Sequence, residues 1–219
     1  MQILLQIYTF NIKLPIDNKR MVVYYIITRG DPMRRKDDEK EKSIKEAVIK
    51  LILEQGFHGT SISKIAKEAG VSPATLYIYY ENKEVMFQDI YREYSEEIFD
   101  YLLSKLNNGM DGQQLIEILV RAYYTYIQEN GEIFHFVDQF SNCPALASQC
   151  SERKGINSLN NLLEEMKVKK VLKNFRNDNL VAILFYPIKS IAIKQCIGGV
   201  EQGELLSEMI TIIQDALLL

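Results

Sequence analysis

The sequence predicts an all-α fold, and three observations carry that prediction. From Met33 onward apolar residues recur at three- and four-residue spacing, glycines and capping side chains punctuate those runs, and no segment alternates as a half-buried strand does. The chain has 219 residues, 47% of them hydrophobic and 25% charged, with a net charge of −3. That composition is globular, and the length suffices for one sizeable core or two small ones.

Residues 1–32 stand apart. Their short apolar runs are broken by Lys13, Pro15, Asp17, Lys19 and Arg20. Neither run approaches the roughly 18 to 20 apolar residues of a membrane span. A secretory signal would place basic residues first and a small-residue cleavage site last, and this segment does neither. The composition changes at Met33, where a charged helical sequence begins. The expectation is that the working protein starts there and that residues 1–32 are a start-site extension; the alternative is a hairpin or interface arm. The first helix then carries Ile44, Ala47, Val48, Leu51 and Ile52 on one face, and Gly56 supplies its stop.

The stretch "TSISKIAKEAGVSPATLYIYYENKEV", residues 60–85, follows. Thr60 or Ser61 caps a helix whose inner face is Ile62, Ile65, Ala66 and Ala69, with Ser63, Lys64 and Lys67 outside. Gly70 ends it. Ser72 caps the next helix, with Pro73 at its first position, where a missing N–H costs nothing. Leu76 and Tyr80 point inward; Ala74, Thr75, Ile78 and Tyr79 point outward. Two short helices around a tight turn, apolar inside and polar outside, form a helix-turn-helix whose second helix suits a major groove. Its small and hydroxyl residues permit close approach to base edges, and Tyr77 on the flank reaches a phosphate. Asn82 caps a third helix, where Lys83 and the free first-turn amides can hold another phosphate.

The string "GFHGTSISKIAKEAGVSPATLYIYYENKEVM" resembles the DNA-binding domain of the TetR/AcrR family of bacterial transcriptional regulators over about Ile44 to Met86. Gly56, Phe57, Thr60, Ile65-Ala66, Ala69-Gly70-Val71-Ser72, Thr75-Leu76-Tyr77, Tyr80 and Lys83 carry the resemblance. Tyr79 stands where many members have histidine, and Tyr80 where most have phenylalanine. The resemblance implies an N-terminal three-helix reader, here residues 33–84, and a larger helical regulatory and dimerisation domain, residues 85–219. It also implies double-stranded DNA, a second copy of the chain and a small-molecule effector as partners.

The rest of the chain accommodates that plan. Asn82 to about Asn107 reads as one long helix, Asp111 caps a helix through Gln128, Gly131 starts another, and Pro144 begins one ending near Met166. The segment "NLVAILFYPIKSIAIKQCIGG" is apolar almost all round, so it is buried on more than one side. Lys189 and Lys194 argue against a membrane span there, and Pro187 predicts a kink. With the last helix it is expected to form a four-helix bundle across a two-fold axis, through Leu184, Ile188, Ile191, Met209, Ile212 and Ile213. The alternative is that both helices close the core of one chain. Tyr123, Tyr124, Tyr126, Phe134, Phe136 and Phe140 are candidates to line an effector pocket for an apolar or cationic molecule, with ordinary core as the plainer reading for each. An acid among Glu129, Glu132 and Asp138 that faces inward favours a cation.

Other functions fit poorly. No glycine-rich phosphate cradle, nucleophile elbow or HExxH occurs, and "GGVEQGE" at residues 198–204 reads as a turn. His58 and His135 have no Cys or His neighbours in sequence, so neither a metal site nor a cofactor is expected. Cys143, Cys150 and Cys196 form no disulfide framework, which suits a reducing cytoplasm. The basic run at 166–176 reads as a solvated helix end rather than a second nucleic-acid patch. Residues 33–84 carry ten Lys and Arg against nine Asp and Glu, whereas residues 85–219 carry twelve against eighteen. Arg34, Arg35 and Lys36 make the start of the reader basic. The expected function is a homodimeric repressor of a near-palindromic operator, released by an effector. An activator of the same fold and an effector-free architectural protein are the alternatives. The residues expected on DNA are Thr60, Ser61, Ser63, Lys64, Ser72, Pro73, Ala74, Thr75, Tyr77, Ile78, Tyr79 and Lys83.

Overall fold

The structure, a computed structural model, describes residues 32–107, 109–141, 154–193 and 199–219. Nine helices run through these residues: α1 Pro32–Gly59, α2 Ile62–Glu68, α3 Pro73–Tyr79, α4 Lys83–Ser104, α5 Gly112–Glu129, α6 Gly131–Ser141, α7 Lys154–Val168, α8 Asn177–Ala192 and α9 Gly199–Leu217. The sole extended pairing among them is one antiparallel bridge between Leu172 and Leu218. The all-α expectation holds, with an N-terminal helix-turn-helix unit and a larger helical domain. Residues 1–31, Pro144, Lys194 and the three cysteines lie outside the described residues, so the expectations placed on them are not addressed.

The small N-terminal unit forms where the local signals put it. Ile44, Ala47, Val48, Leu51 and Ile52 of α1 are all buried, against Ile65 and Ala66 of α2 and Leu76 of α3. The helical path of α1 breaks at Gly56, with φ 70° and ψ 175°, a backbone that only glycine adopts freely. Phe57, just past the break, meets Phe87 of α4 edge-on at 5.9 Å and Phe140 of α6 at 5.3 Å. Lys45 of α1 reaches Glu41 and, on α4, Glu93, both at 2.7 Å. Burial opposes the charge of this ammonium, but the two carboxylates outweigh it and raise its pKa above the ordinary lysine value.

The long helix α4 leaves this unit and packs on α5, α6 and α7 of the body, while α5 packs on α8 and α9. Asp111 opens α5 with a full capping box: its carboxylate accepts from the backbone N–H of Gln114, whose side chain accepts from the Asp111 N–H. At Gly155 the chain of α7 lies so close to α4 that an added Cβ would sit 2.5 Å from Phe99 Cβ. The Gly155 N–H there donates to the Glu96 carboxylate. Pro187 lies within α8, which continues helical to Ala192.

Three lysines of the basic run at 166–176 have partners within the chain. Lys167 pairs with Glu164 at 2.7 Å, and Lys169 with Glu165 at 2.5 Å. Lys173 donates from Nζ to the carbonyls of Asp215 and Ala216, capping the end of α9. Among the described residues no helix is long and apolar enough to cross a membrane, and no group of His, Cys, Asp and Glu gathers as metal ligands.

Candidate functional site

The geometry of α3 is set by its neighbours in sequence. Ser72 accepts from the Thr75 N–H at 3.1 Å, Pro73 occupies the first turn, and Leu76 is 1% exposed in the core. The turn before it is a Schellman motif: Gly70 has φ 67°, the Val71 N–H reaches the Ala66 carbonyl at 2.9 Å, and the Gly70 N–H reaches Lys67. After α3, Asn82 accepts from the Val85 N–H at 2.8 Å and starts α4. Held at both ends and anchored by Leu76, α3 presents Ser72, Pro73, Ala74, Tyr77 and Ile78 to solvent, with Ile78 80% and Tyr77 57% exposed. Ser61, Ser63 and Lys64 of the preceding helix start are exposed as well.

Two of the expected contact residues, Thr60 and Tyr79, sit differently from the sequence reading. Thr60 is 1% exposed and donates from its hydroxyl to the Gly56 carbonyl, while Ser61 is the cap of α2. Its side chain therefore holds the turn after α1 and has no surface to offer DNA. Thr75 is half-buried, its hydroxyl 2.8 Å from Ser72 Oγ. Tyr79, expected outward, packs partly against the core, because it lies one turn after Thr75 on the flank that α1 and α4 approach. Lys83 sits in the first turn of α4, as expected, and donates to the Thr60 carbonyl at 3.2 Å. Lys64 likewise reaches the Gly59 carbonyl at 2.7 Å. Tyr80 is buried with a hydroxyl that finds no hydrogen-bond partner, and burial raises its phenol pKa well above the ordinary value.

In the body, α4, α5, α6 and α8 line a half-open cavity of about 260 Å³. Tyr123 and Phe134 line it, as expected, together with Phe99, Phe185 and Tyr186. Tyr126, Phe136 and Phe140, also expected at the pocket, belong to the core instead. Phe136 and Phe140 are fully buried on the side of α6 away from the cavity, and Tyr126 donates to Glu97 at 3.1 Å. The reason is helical phase: on α6 the apolar residues run around more than one face, and only the face of Phe134, Val137 and Asp138 meets the cavity. Tyr124 donates to Gln202. Asp138 does face inward, and it is paired with Lys189 of α8 at 2.5 Å. Glu129 and Glu132 are exposed. The cavity's contribution from α8 was missed in the sequence, although a lysine in an otherwise buried helix was a usable signal.

The residues expected between two copies divide. Leu184, Ile188, Ile191 and Ile213 are at most 6% exposed within one chain, so they close its own core and leave no side-chain surface for a partner. Met209 is half-buried, and Ile212 is 51% exposed, as is Ile193 at 41%.

Known proteins align with this arrangement. A profile of bacterial regulatory proteins of the tetR family matches residues 44–90. The "Fatty acid metabolism regulator protein" of Bacillus subtilis (strain 168) is 24% identical over 156 residues, 71% of this chain and 72% of that one. The icaADBC biofilm operon negative regulator IcaR of Staphylococcus epidermidis is 30% identical over 132 residues, 59% of this chain and 68% of the relative. A crystal structure of a TetR family transcription regulator from Marinobacter aquaeolei VT8 superposes with a TM-score of 0.73 at 26% identity, over 85% of this chain and 99% of that one. The likeness thus extends from the capped α2–α3 pair through most of the helical body, and the chain belongs to the TetR family of helix-turn-helix transcriptional regulators.

Proposed function

We propose that the protein is a homodimeric repressor that binds a near-palindromic operator in the cytoplasm and leaves it when a small molecule fills the body cavity. The observation that carries the reading is the exposed face of α3, where Ala74, Tyr77 and Ile78 stand in solvent on a helix clamped by Ser72, Leu76 and Asn82. A short rigid helix with small residues at its start can lie deep in a major groove. Ala74, Thr75 and Ile78 then face base edges, with Ile78 against a thymine methyl. Tyr77, Lys83 and the first amides of α4 hold phosphates and set the register. Residues 33–84 are the reader and residues 85–219 bind the effector and the second copy, through the outer surfaces of α8 and α9 around Ile193, Met209 and Ile212.

Release has a physical route. The helix α6 contributes Phe134 and Asp138 to the cavity and, from its other face, Phe140 to the contact with Phe57 of α1. A ligand that favours a displaced α6 therefore favours a displaced reader, and two readers that no longer match the half-site spacing lose the operator. The staphylococcal relative is a negative regulator, which supports repression rather than activation.

The test is a selection of purified protein against fragmented genomic DNA at two salt concentrations. Enrichment of one near-palindromic site is the expected result, and binding without enrichment that vanishes as salt rises would leave only a DNA-adhering protein. On the selected site, Lys83→Ala is expected to weaken binding to all sequences and to lower the salt slope by about one, while Thr75→Ala alters base preference. Affinity lost in both variants with preference unchanged would refute this division of roles.

A further inference from the structure

We propose that a linear polyamine, a triamine of the spermidine kind, lies in an acidic trough along α4 with one end at the Tyr80 hydroxyl. This site is separate from the body cavity and does not depend on the effector role proposed above. Two grooves adjoin there, of about 460 and 570 Å³, and they share Glu93 and Glu96 as a common wall. The first is lined by Glu41 of α1, by Tyr80 after the end of α3 and by Asp89 of α4. The second continues past Glu97 and Asp100 to Tyr101. Asp89, Glu93, Glu96, Glu97 and Asp100 recur at three- and four-residue steps, so they form one stripe down the helix.

Charge and spacing select the ligand. Among the described residues the cations held by this lining are Lys45, bonded to Glu41 and Glu93, Arg92, bonded to Asp89, and Lys105, 4.4 Å over the Tyr101 ring. Glu96 accepts from the Gly155 N–H and Glu97 from the Tyr126 hydroxyl, neutral donors that orient the carboxylates and leave their charge uncancelled. Six acids thus outnumber the cations by three, the charge of a triamine. The carboxylates stand in a row rather than around a point. No group of three gathers as metal ligands among the described residues, so a divalent ion finds no cage. A polyamine's nitrogens, three or four methylenes apart, repeat at roughly 5–6 Å, close to one helical turn. Asp89 to Glu97 covers about 12 Å along the axis, the reach of an extended triamine.

Tyr80 gives the trough its end. It lines the first groove, is 9% exposed, and its hydroxyl has no hydrogen-bond partner. Burial raises the pKa of this phenol, and Lys45, Glu41, Glu93 and Asp89 all act on it, which places the oxygen among the charges of the groove. Those carboxylates already turn to Lys45 and Arg92, so the oxygen needs a donor from outside, and a primary ammonium brings N–H groups to both. The oxygen is shielded in the free chain, so the ring turns outward as the ammonium seats, at the C-cap of the helix proposed to read DNA.

The experiment is calorimetric titration of the full chain, without DNA and at one fixed ionic strength, using spermidine, putrescine, magnesium chloride and the basic peptide tetralysine. One spermidine per chain is expected to bind, about tenfold more tightly than putrescine or magnesium. Tyr80→Phe removes one oxygen that bonds to nothing in the free chain, so the fold survives it, and it should weaken spermidine binding about tenfold. Glu97→Gln should weaken it several-fold, while Glu129→Gln, at an exposed acid of α5 outside the trough, should leave it unchanged. No measurable binding, several spermidines per chain, an equal loss in Glu129→Gln, or unchanged affinity in Tyr80→Phe would reduce the trough to a diffusely charged surface and overturn the proposal. Tighter binding of magnesium or of tetralysine than of spermidine would overturn the ligand class.

Discussion

Between Ser61 and Val85 each helix boundary is made by residues at most five positions apart: Ser61 with Lys64, Val71 with Ala66, Ser72 with Thr75, Asn82 with Val85. In the body the polar ties reach much further. Tyr91 meets Ser141 across 50 positions, Lys189 meets Asp138 across 51, Gln128 donates to Ala192 across 64, and Gln214 to Gln113 across 101. The reader is thus assembled from motifs that a window of a few residues specifies, while the body depends on which helices end up side by side. The two meet in part through the Lys45–Glu93 ion pair and in part at an aromatic seam, where Phe57 touches Phe87 and Phe140, and Phe140 stacks on Tyr91 with ring centroids 4.2 Å apart.

Phe140→Ala probes that seam and carries the largest expected effect. Removing a fully buried ring from a three-way aromatic contact should cost about 3–5 kcal/mol in denaturant unfolding. Hydrogen exchange of the α1 and α2 amides should rise with it. Exchange that quickens in the body alone would mean that the two regions fold independently and that the seam couples nothing.

Gly70→Ala tests whether the reader is governed by local conformation. No atom lies within 4 Å of an added Cβ, so the whole cost is that of φ 67° for an alanine, about 1–2 kcal/mol. A neutral result would show that the turn can relax and that the motif is less strictly determined than its hydrogen bonds suggest.

Tyr80→Phe runs in the opposite direction. The buried hydroxyl has no partner, so its removal is expected to stabilise the reader by about 1 kcal/mol, read as a higher melting temperature. A drop in stability would indicate a bound water at that hydroxyl. The smallest stability effect belongs to Ile78→Ala: at 80% exposure the change should stay within about 0.5 kcal/mol, while operator affinity falls. Unchanged affinity would remove Ile78 from the proposed base-reading surface.

Much of the reader was legible in advance, because caps, the glycine stop at Gly56 and the period of α1 are properties of adjacent residues. Its misses were of side-chain direction: Thr60, which turns inward to the Gly56 carbonyl, and Tyr79, which is half covered by the core. In the body, helix positions such as α5 behind Asp111 and α6 from Gly131 were readable, but partner choice was not. The apolar helix α8 was expected at a dimer seam, with a monomer core as the alternative, and burial within one chain places Leu184 and Ile188 in the core of one chain.

Sequence alone determined the all-α class, the helix-turn-helix with its capped α3, and the presence of an aromatic-rich helical body. Tertiary structure decided which of those aromatics line a cavity and which fill the core, and that the lysine on α8 faces an aspartate on α6. The physical reason is range. Caps and periodicity are fixed by backbone hydrogen bonds a few residues long, whereas a side chain's burial and its ionic partner depend on the rotation and docking of whole helices, which no short window encodes.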